Sequence, residues 1–125
     1  MKIAIFENEY QQIEAAFEAM NLLYFDNKLE FSVFPSSQNF GPLENLQNYD
    51  IAIVDIDLSQ NSQLDGYALL KKIENLEKKP KILVLTGSSK VESTLQEKKL
   101  PKYDVLLKPV DFSEIHKSLD KMFKK

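Results

Sequence analysis

Ile51-Ala52-Ile53-Val54-Asp55 is a run of four apolar residues closed by a carboxylate. A short apolar run that is continuous, with no alternating polar positions, is the pattern of a strand covered on both faces. On either side of it the same design recurs, in Ile3-Ala4-Ile5-Phe6 before Glu7-Asn8-Glu9, in Ile82-Leu83-Val84-Leu85 before Thr86, and in Val105-Leu106-Leu107 before Lys108. Each run ends on a group suited to handling a phosphoryl group. Leu29–Phe34 reads as the remaining strand, with Asp26-Asn27-Lys28 as the turn before it.

The segments between these runs carry helical period. In 10–24 the apolar positions Ile13, Phe17, Met20 and Leu23 follow steps of three and four, with Ala16 on the same stripe. Leu69, Leu70, Ile73 and Leu76 define a second helix, and Ile115, Leu119, Met122 and Phe123 another near the C-terminus. Asp111 followed by Glu114 has the spacing of a helix N-cap and its reciprocal partner, and Ser89 with Glu92 offers the same before a weaker helix near 90–98. Pro80, Pro101 and Pro109 interrupt helical continuity. In 35–50, Pro35, Gly41 and Pro42 leave room only for a short helix around Leu43–Gln47.

Five strand-helix repeats predict a mostly parallel sheet with helices on both faces. In such a sheet the residues just beyond the C-terminal strand ends gather at one edge, where ligands bind near the topological switch point. Glu7, Asp55, Thr86 and Lys108, distant in sequence, are thereby expected to share one site.

Composition narrows the chemistry. A chain of 125 residues suits one domain, read here as 1–125 with no output domain. Sixteen basic against nineteen acidic side chains give a net charge of -3, with no concentrated basic footprint for direct nucleic-acid binding. Lys71-Lys72 with Lys78, Lys79 and Lys81 is interrupted by Glu74 and Glu77 and reads as a solvated helix face and loop. Without cysteine there is no disulfide, thiol catalysis or thiolate metal site, and one histidine, His116, makes no multi-histidine site. The N-terminal apolar run is far shorter than a signal-peptide core or a membrane span, so the expected setting is cytoplasmic, away from the membrane. Gly41, Gly66 and Gly87 are the only glycines, too few for a dinucleotide or nucleotide-triphosphate loop. Neither a serine elbow nor a histidine base is present for a small hydrolase.

Asp55 is the nucleophile candidate, because a carboxylate forms an aspartyl phosphate once the negative charges that meet there are neutralised. Magnesium suits that task, taking hard oxygen ligands and keeping part of its water beside phosphate. Glu7, Asn8 and Asp55 offer direct or water-mediated oxygens, and a backbone carbonyl near Asp57 another. Lys108 places positive charge on one phosphoryl oxygen, and Thr86 donates a hydroxyl hydrogen bond to a second.

With these residues in order, nearly the full length of the chain resembles the receiver domain of two-component response regulators. Glu7-Asn8-Glu9 matches the acidic cluster after the first strand, Asp55 the phosphoacceptor, Thr86 the hydroxyl residue after the fourth strand, and Lys108-Pro109 the lysine-proline pair. Asp65-Gly66 matches the pair that precedes the third helix. The resemblance implies a flavodoxin-like α/β three-layer sandwich, with a five-stranded parallel sheet in order 2-1-3-4-5 and five helices. It implies magnesium-dependent transfer from a phosphohistidine on a sensor histidine kinase or phosphotransfer protein onto Asp55, then slow loss to water. Conventional turnover is not implied. Thr86 would follow the phosphoryl group and change a face comprising residues around 88–100 and 103–123, read by a downstream effector protein or, as one arrangement, in a homodimer.

The first strand end, the loop after Asp55 and residue 105 depart from the family pattern. Asn8 stands where a metal-binding aspartate is expected, and Glu7 is one methylene longer than aspartate. The path from Asp57 to Asp65 is about three residues longer than usual, which costs little fold stability. Val105 stands where the switching aromatic often lies, with Tyr103 nearby at a different register. These departures support a second reading, a phosphorylation-independent receiver-like protein interaction module. His116 reads as an exposed helical histidine, and Phe6, Phe17, Phe112 and Phe123 as packing residues.

Overall fold

The computed structural model describes residues 1–58 and 62–123. Five parallel strands, β1 (Lys2–Phe6), β2 (Glu30–Phe34), β3 (Ile51–Asp55), β4 (Lys81–Thr86) and β5 (Asp104–Leu107), form one sheet in the order β2-β1-β3-β4-β5. Register is fixed across the centre by Ile5 opposite Ile53 and Ile53 opposite Leu83. Every residue of β3 is buried, as its unbroken apolar run requires.

Alternate side chains of the strands feed two cores. Ile3, Ile5, Ile53, Leu83 and Leu106 pack against α1 (Glu14–Phe25) and α4 (Phe112–Phe123). Ala4, Phe6, Val54 and Val84 pack on the other face against α2 (Gly66–Glu74) and α3 (Val91–Glu97). The layers follow from a parallel sheet that must cover both its faces.

The connection from β2 to β3 is the second of the four crossovers and is made of 3-10 turns: Ser37–Phe40, then Leu43–Asn48. Pro35, Gly41 and Pro42 deny it the length of an α-helix, and Gly41 takes a φ of 85° between the two turns. Asp26 and Asn27 are both left-handed, closing α1 as residue types that tolerate that conformation. Asp111 Oδ1 accepts from Glu114 N at 2.8 Å, and Asp65 Oδ1 accepts from Ala68 N at 2.8 Å, so both helices begin on a side-chain cap.

Three expectations need correction. The stripe on α1 keeps Ile13, Phe17 and Met20 inside but leaves Leu23 60% exposed, because Asn21 and the partly buried Phe25 continue the inner face. Asn21 is held there by two hydrogen bonds with Leu29, Nδ2 to the carbonyl at 3.0 Å and the amide to Oδ1 at 3.1 Å. Ser89 does not cap α3; that helix starts at Val91, and Ser88 Oγ accepts from Lys90 N at 3.1 Å. His116 is half-buried rather than exposed, stacked on Tyr24 at 3.7 Å between ring centroids.

Candidate active site

β1 and β3 are neighbours whose outgoing connections run to opposite sides of the sheet, so a crevice opens beyond their C-terminal ends. Four of the expected groups meet there. Asp55 closes β3 and is 1% exposed, Thr86 closes β4 with no exposed surface, and Glu7, one residue past β1, has a fully buried side chain. Lys108, just past β5, reaches between the two carboxylates: Nζ is 2.7 Å from Glu7 Oε2 and 3.3 Å from Asp55 Oδ2.

The partners of each oxygen define what the site lacks. Asp55 Oδ1 accepts from the Asp57 backbone amide at 3.0 Å, and Oδ2 from Lys108. Glu7 Oε1 accepts from Glu9 N at 3.0 Å. Glu7 Oε2 is buried with no aligned hydrogen bond, although Lys108 Nζ is within ion-pair distance. We take the pair as charge contact without donor alignment. The ammonium at 2.7 Å offsets part of the cost of burying that oxygen, and it is shared with Asp55.

The electrostatics agree. Burial, then the neighbouring Glu7 carboxyl, raises the Asp55 pKa to about 6 against the opposing pull of the Asp57 amide and Lys108. Burial works against the Lys108 ammonium, yet Glu7 and Asp55 outweigh it and hold its pKa above the ordinary lysine value. One lysine therefore serves two carboxylates.

That shortfall fits a divalent cation. Glu7 and Asp55 would hold it through carboxylate oxygen, in keeping with the one or two carboxylates and retained waters that magnesium prefers. Among the described residues no group of three or more Asp, Glu, His or Cys side chains is arranged to hold a metal. Asn8 is exposed, and among the described residues its side chain makes no hydrogen bond. Asp57 is exposed too and contributes its amide to Asp55.

Thr86 Oγ1 accepts from Ser88 N at 3.0 Å, which orients the hydroxyl at the start of the loop leading to α3. The backbone of Lys108 is tied to the same strand end, its amide donating to Thr86 O at 2.8 Å. Gly66 sets the other wall. A Cβ at Gly66 would lie 2.4 Å from Ile56 Cα and 2.5 Å from Asp55 O, so the first turn of α2 approaches the end of β3 as only glycine allows.

Sequence reasoning missed a second group of contacts. The far end of the long loop after Asp55 is fastened to the connection leaving β2: Ser62 Oγ accepts from Ser37 N at 2.9 Å, Gln38 Oε1 from Gln63 N at 2.8 Å, and Ser37 Oγ from Leu64 N at 3.0 Å. Serine and glutamine in loops carry no spacing signal that would have paired them. The middle of that loop, Ser59-Gln60-Asn61, lies outside the described residues. Tyr103 is likewise committed elsewhere, its hydroxyl donating to Glu74 Oε2 at 2.6 Å.

A sequence model described as the response regulator receiver domain matches residues 5–120, most of the chain. The chain belongs to that family. Its fold agrees with the receiver domain of a Francisella response regulator, 1452, at a TM-score of 0.72 over 98% of this chain and 96% of that one, with 20% identity. The response regulatory domain of mrkE from Klebsiella pneumoniae gives a TM-score of 0.69 and 26% identity over 98% and 94% of the two chains. By sequence the receiver is 33% identical over 73 residues, 58% of its length, to the transcriptional regulatory protein ZraR of Salmonella typhimurium, and the match spans only 16% of that protein. Receiver domains work with a histidine kinase or phosphotransfer protein and generally bind magnesium. Among the described residues of this receiver no helix is long and apolar enough to cross a membrane.

Proposed function

We propose that Asp55 of this receiver accepts a phosphoryl group from a phosphohistidine and that the modified domain presents a changed surface to a downstream effector protein. The observation that carries the reading is the Lys108 ammonium set between two buried carboxylates from separate strand ends. At neutral pH most Asp55 is ionised even with its pKa near 6, so the nucleophile is in its reactive form.

In the transfer, an Asp55 carboxylate oxygen forms a bond to phosphorus while the phosphorus–nitrogen bond of the donor breaks. The imidazole nitrogen leaves with the electron pair. Lys108 would meet one phosphoryl oxygen, and Thr86 would donate its O–H proton to another. Magnesium, held by Glu7 and Asp55 with Asn8 or the Asp57 carbonyl nearby, would supply further positive charge to the phosphoryl oxygens. Attack of water on phosphorus later returns Asp55 and inorganic phosphate. Movement of Thr86 toward the phosphoryl group would pull on the Ser88 amide and the loop into α3, which begins the altered face.

The test is the intact mass of the protein after incubation with acetyl phosphate and magnesium, for native protein, Asp55→Ala and Lys108→Ala. A phosphate-sized gain in native protein, absent in Asp55→Ala and strongly reduced in Lys108→Ala, is expected. A gain that persists in Asp55→Ala places the acceptor elsewhere. No gain in native protein at any magnesium concentration favours the phosphorylation-independent interaction module.

A further inference from the structure

Charge is divided unevenly between the two faces of the sheet. Residues 66–102, which supply α2, β4 and α3, hold nine lysines against four glutamates, a net of +5 in a chain whose total is -3. On the other face, α1 carries Glu14 and Glu18 and no basic residue. Between α2 and α3 lies an open groove of about 230 Å³, lined by Asp65, Tyr67, Ala68, Lys71, Lys98 and Leu100. Lys71 and Lys98 are exposed, and among the described residues neither makes an ion pair. Lys98 Nζ lies instead 5.2 Å from the centroid of the Tyr67 ring. Tyr67 and Leu100, both half-buried, give the groove apolar wall beside the two ammonium groups, and Asp65 is committed to capping Ala68 N.

The two walls are held differently. The first turn of α2 is fixed by the close approach of Gly66 to the end of β3. The helix α3 is joined to the acceptor site by a loop in which Thr86 Oγ1 accepts from Ser88 N and Ser88 Oγ accepts from Lys90 N. A displacement of Thr86 would therefore shift the Lys98 wall against a stationary Lys71 wall.

We infer that the groove between α2 and α3 is the docking site for an acidic segment of the downstream effector protein, which inserts an apolar side chain between Lys71 and Lys98 and pairs carboxylates with both. Charge selects the class of partner, because unpaired ammonium groups on a face of net +5 attract and orient an anion. Shape and patterning then select protein over nucleic acid. Glu74, Glu77, Glu92 and Glu97 interrupt the lysines, whereas a phosphate backbone needs a continuous basic track. The groove has apolar wall and room for a side chain, the form of an anchor pocket in a protein interface. A second copy offering its acidic α1 would make a head-to-tail contact, which propagates into rings or fibres in place of a closed twofold pair.

This inference rests on the reading of the receiver as a module that signals to an effector protein. The groove is open in the unphosphorylated protein, so binding is measured without a phosphodonor. The probe is a fluorescein-labelled decapeptide of glutamate and glycine with a central phenylalanine, followed by anisotropy at low salt, and amide chemical shifts of labelled receiver locate the contact. The variants are Lys71→Ala with Lys98→Ala, Ala68→Phe, which fills the groove without altering charge, and Lys78→Ala with Lys90→Ala, which removes the same charge elsewhere on the face. Far-ultraviolet circular dichroism checks that each is folded. Shifts centred on Tyr67, Ala68, Lys71, Lys98 and Leu100 are expected. Affinity should fall about fivefold or more in the Lys71–Lys98 pair and in Ala68→Phe, stay within about twofold in the Lys78–Lys90 pair, and fall about threefold when the phenylalanine of the peptide is replaced by serine. The inference is overturned by no binding up to about 1 mM peptide or by equal losses in the two lysine pairs. It is also overturned if a single-stranded oligothymidylate binds the groove more tightly than the peptide, or if sedimentation shows self-association that the Lys71–Lys98 pair abolishes. Phosphate gain at Asp55 without groove-dependent peptide binding sinks only this inference. Groove-dependent binding without phosphate gain sinks only the acceptor reading.

Discussion

The two edges of the sheet treat charge in opposite ways. At the edge where the strands begin, ionic and polar groups lie near the surface and are satisfied: Asp50 Oδ2 accepts from Lys2 N at 2.9 Å, Glu74 accepts from both Lys79 and Tyr103, and Lys121 pairs with Asp104 at 3.0 Å. At the edge where they end, Glu7, Asp55 and Thr86 are buried and two carboxylates share one ammonium. Every group at the first edge adds a little stability or none, while the buried carboxylates at the second cost stability. The contrast separates what holds this receiver together from what it does.

The largest expected effect comes from the wall between the two regions. Gly66→Ala puts a methyl carbon into the Asp55–Ile56 backbone, and the clash is with main chain that cannot rotate away. Unfolding in urea should show a loss of roughly 3 kcal/mol, the upper end for overpacking, together with loss of phosphate gain. An unchanged midpoint would mean that the approach of α2 to β3 is not obligatory.

Asp55→Asn should move stability the other way. The folded pKa lies above the unfolded value of 3.8, so the stability this group contributes is fully present below about pH 4 and is lost as pH rises through about 6. Removing the charge while Glu7 still pairs Lys108 should stabilise the domain on the order of 2 kcal/mol at pH 7. The difference in urea midpoint between Asp55→Asn and native protein should shrink toward pH 4. A variant less stable than native at pH 7 would show that the acceptor edge is not under charge strain.

At the opposite edge, Tyr103→Phe removes the hydroxyl that donates to Glu74. Burial favours protonated Glu74, but Lys79 and Tyr103 outweigh it and hold its pKa below the ordinary value, and burial followed by Glu74 pushes the Tyr103 pKa up. A loss of about 1 kcal/mol is expected, with phosphate gain at Asp55 unchanged; altered gain would couple the edges. The smallest effect belongs to Lys121→Ala, whose exposed pair with Asp104 should be worth less than about 0.5 kcal/mol. A larger change in thermal midpoint would mean that the strand-start edge also stores substantial electrostatic energy.

What could be read in the sequence tracks how local the cause is. Ile51–Val54 announced a doubly covered strand because burial on both faces removes alternation, and the ends of the strand runs located Asp55, Thr86 and Lys108 without any contact information. Pro35, Gly41 and Pro42 similarly limited the β2–β3 connection before its 3-10 form was known. The distribution of roles at Glu7-Asn8 was not legible, since adjacent residues past a strand end differ in burial by a backbone turn that composition does not encode. Leu23 misled because helical spacing counts apolar residues equally, and here Asn21, with both its amide groups bonded to Leu29, took an inner position. Tyr103 with Glu74 and Ser37 with Ser62 pair across 29 and 25 residues and arise only from the tertiary fold.

The hydrogen bonds between Ser37, Gln38, Ser62, Gln63 and Leu64 bear on how this family can diversify. The segment after Asp55 is moored at its start by the Asp57 amide on the acceptor and at its finish by the β2 connection, just before the Asp65 cap and the close approach of Gly66. With both moorings set by the framework, the number of residues between them is decoupled from the position of the acceptor and from the phase of α2. The placement of Glu7, Asp55, Thr86 and Lys108 and the start of α2 therefore rest on contacts outside that span, so its length and their geometry are set separately.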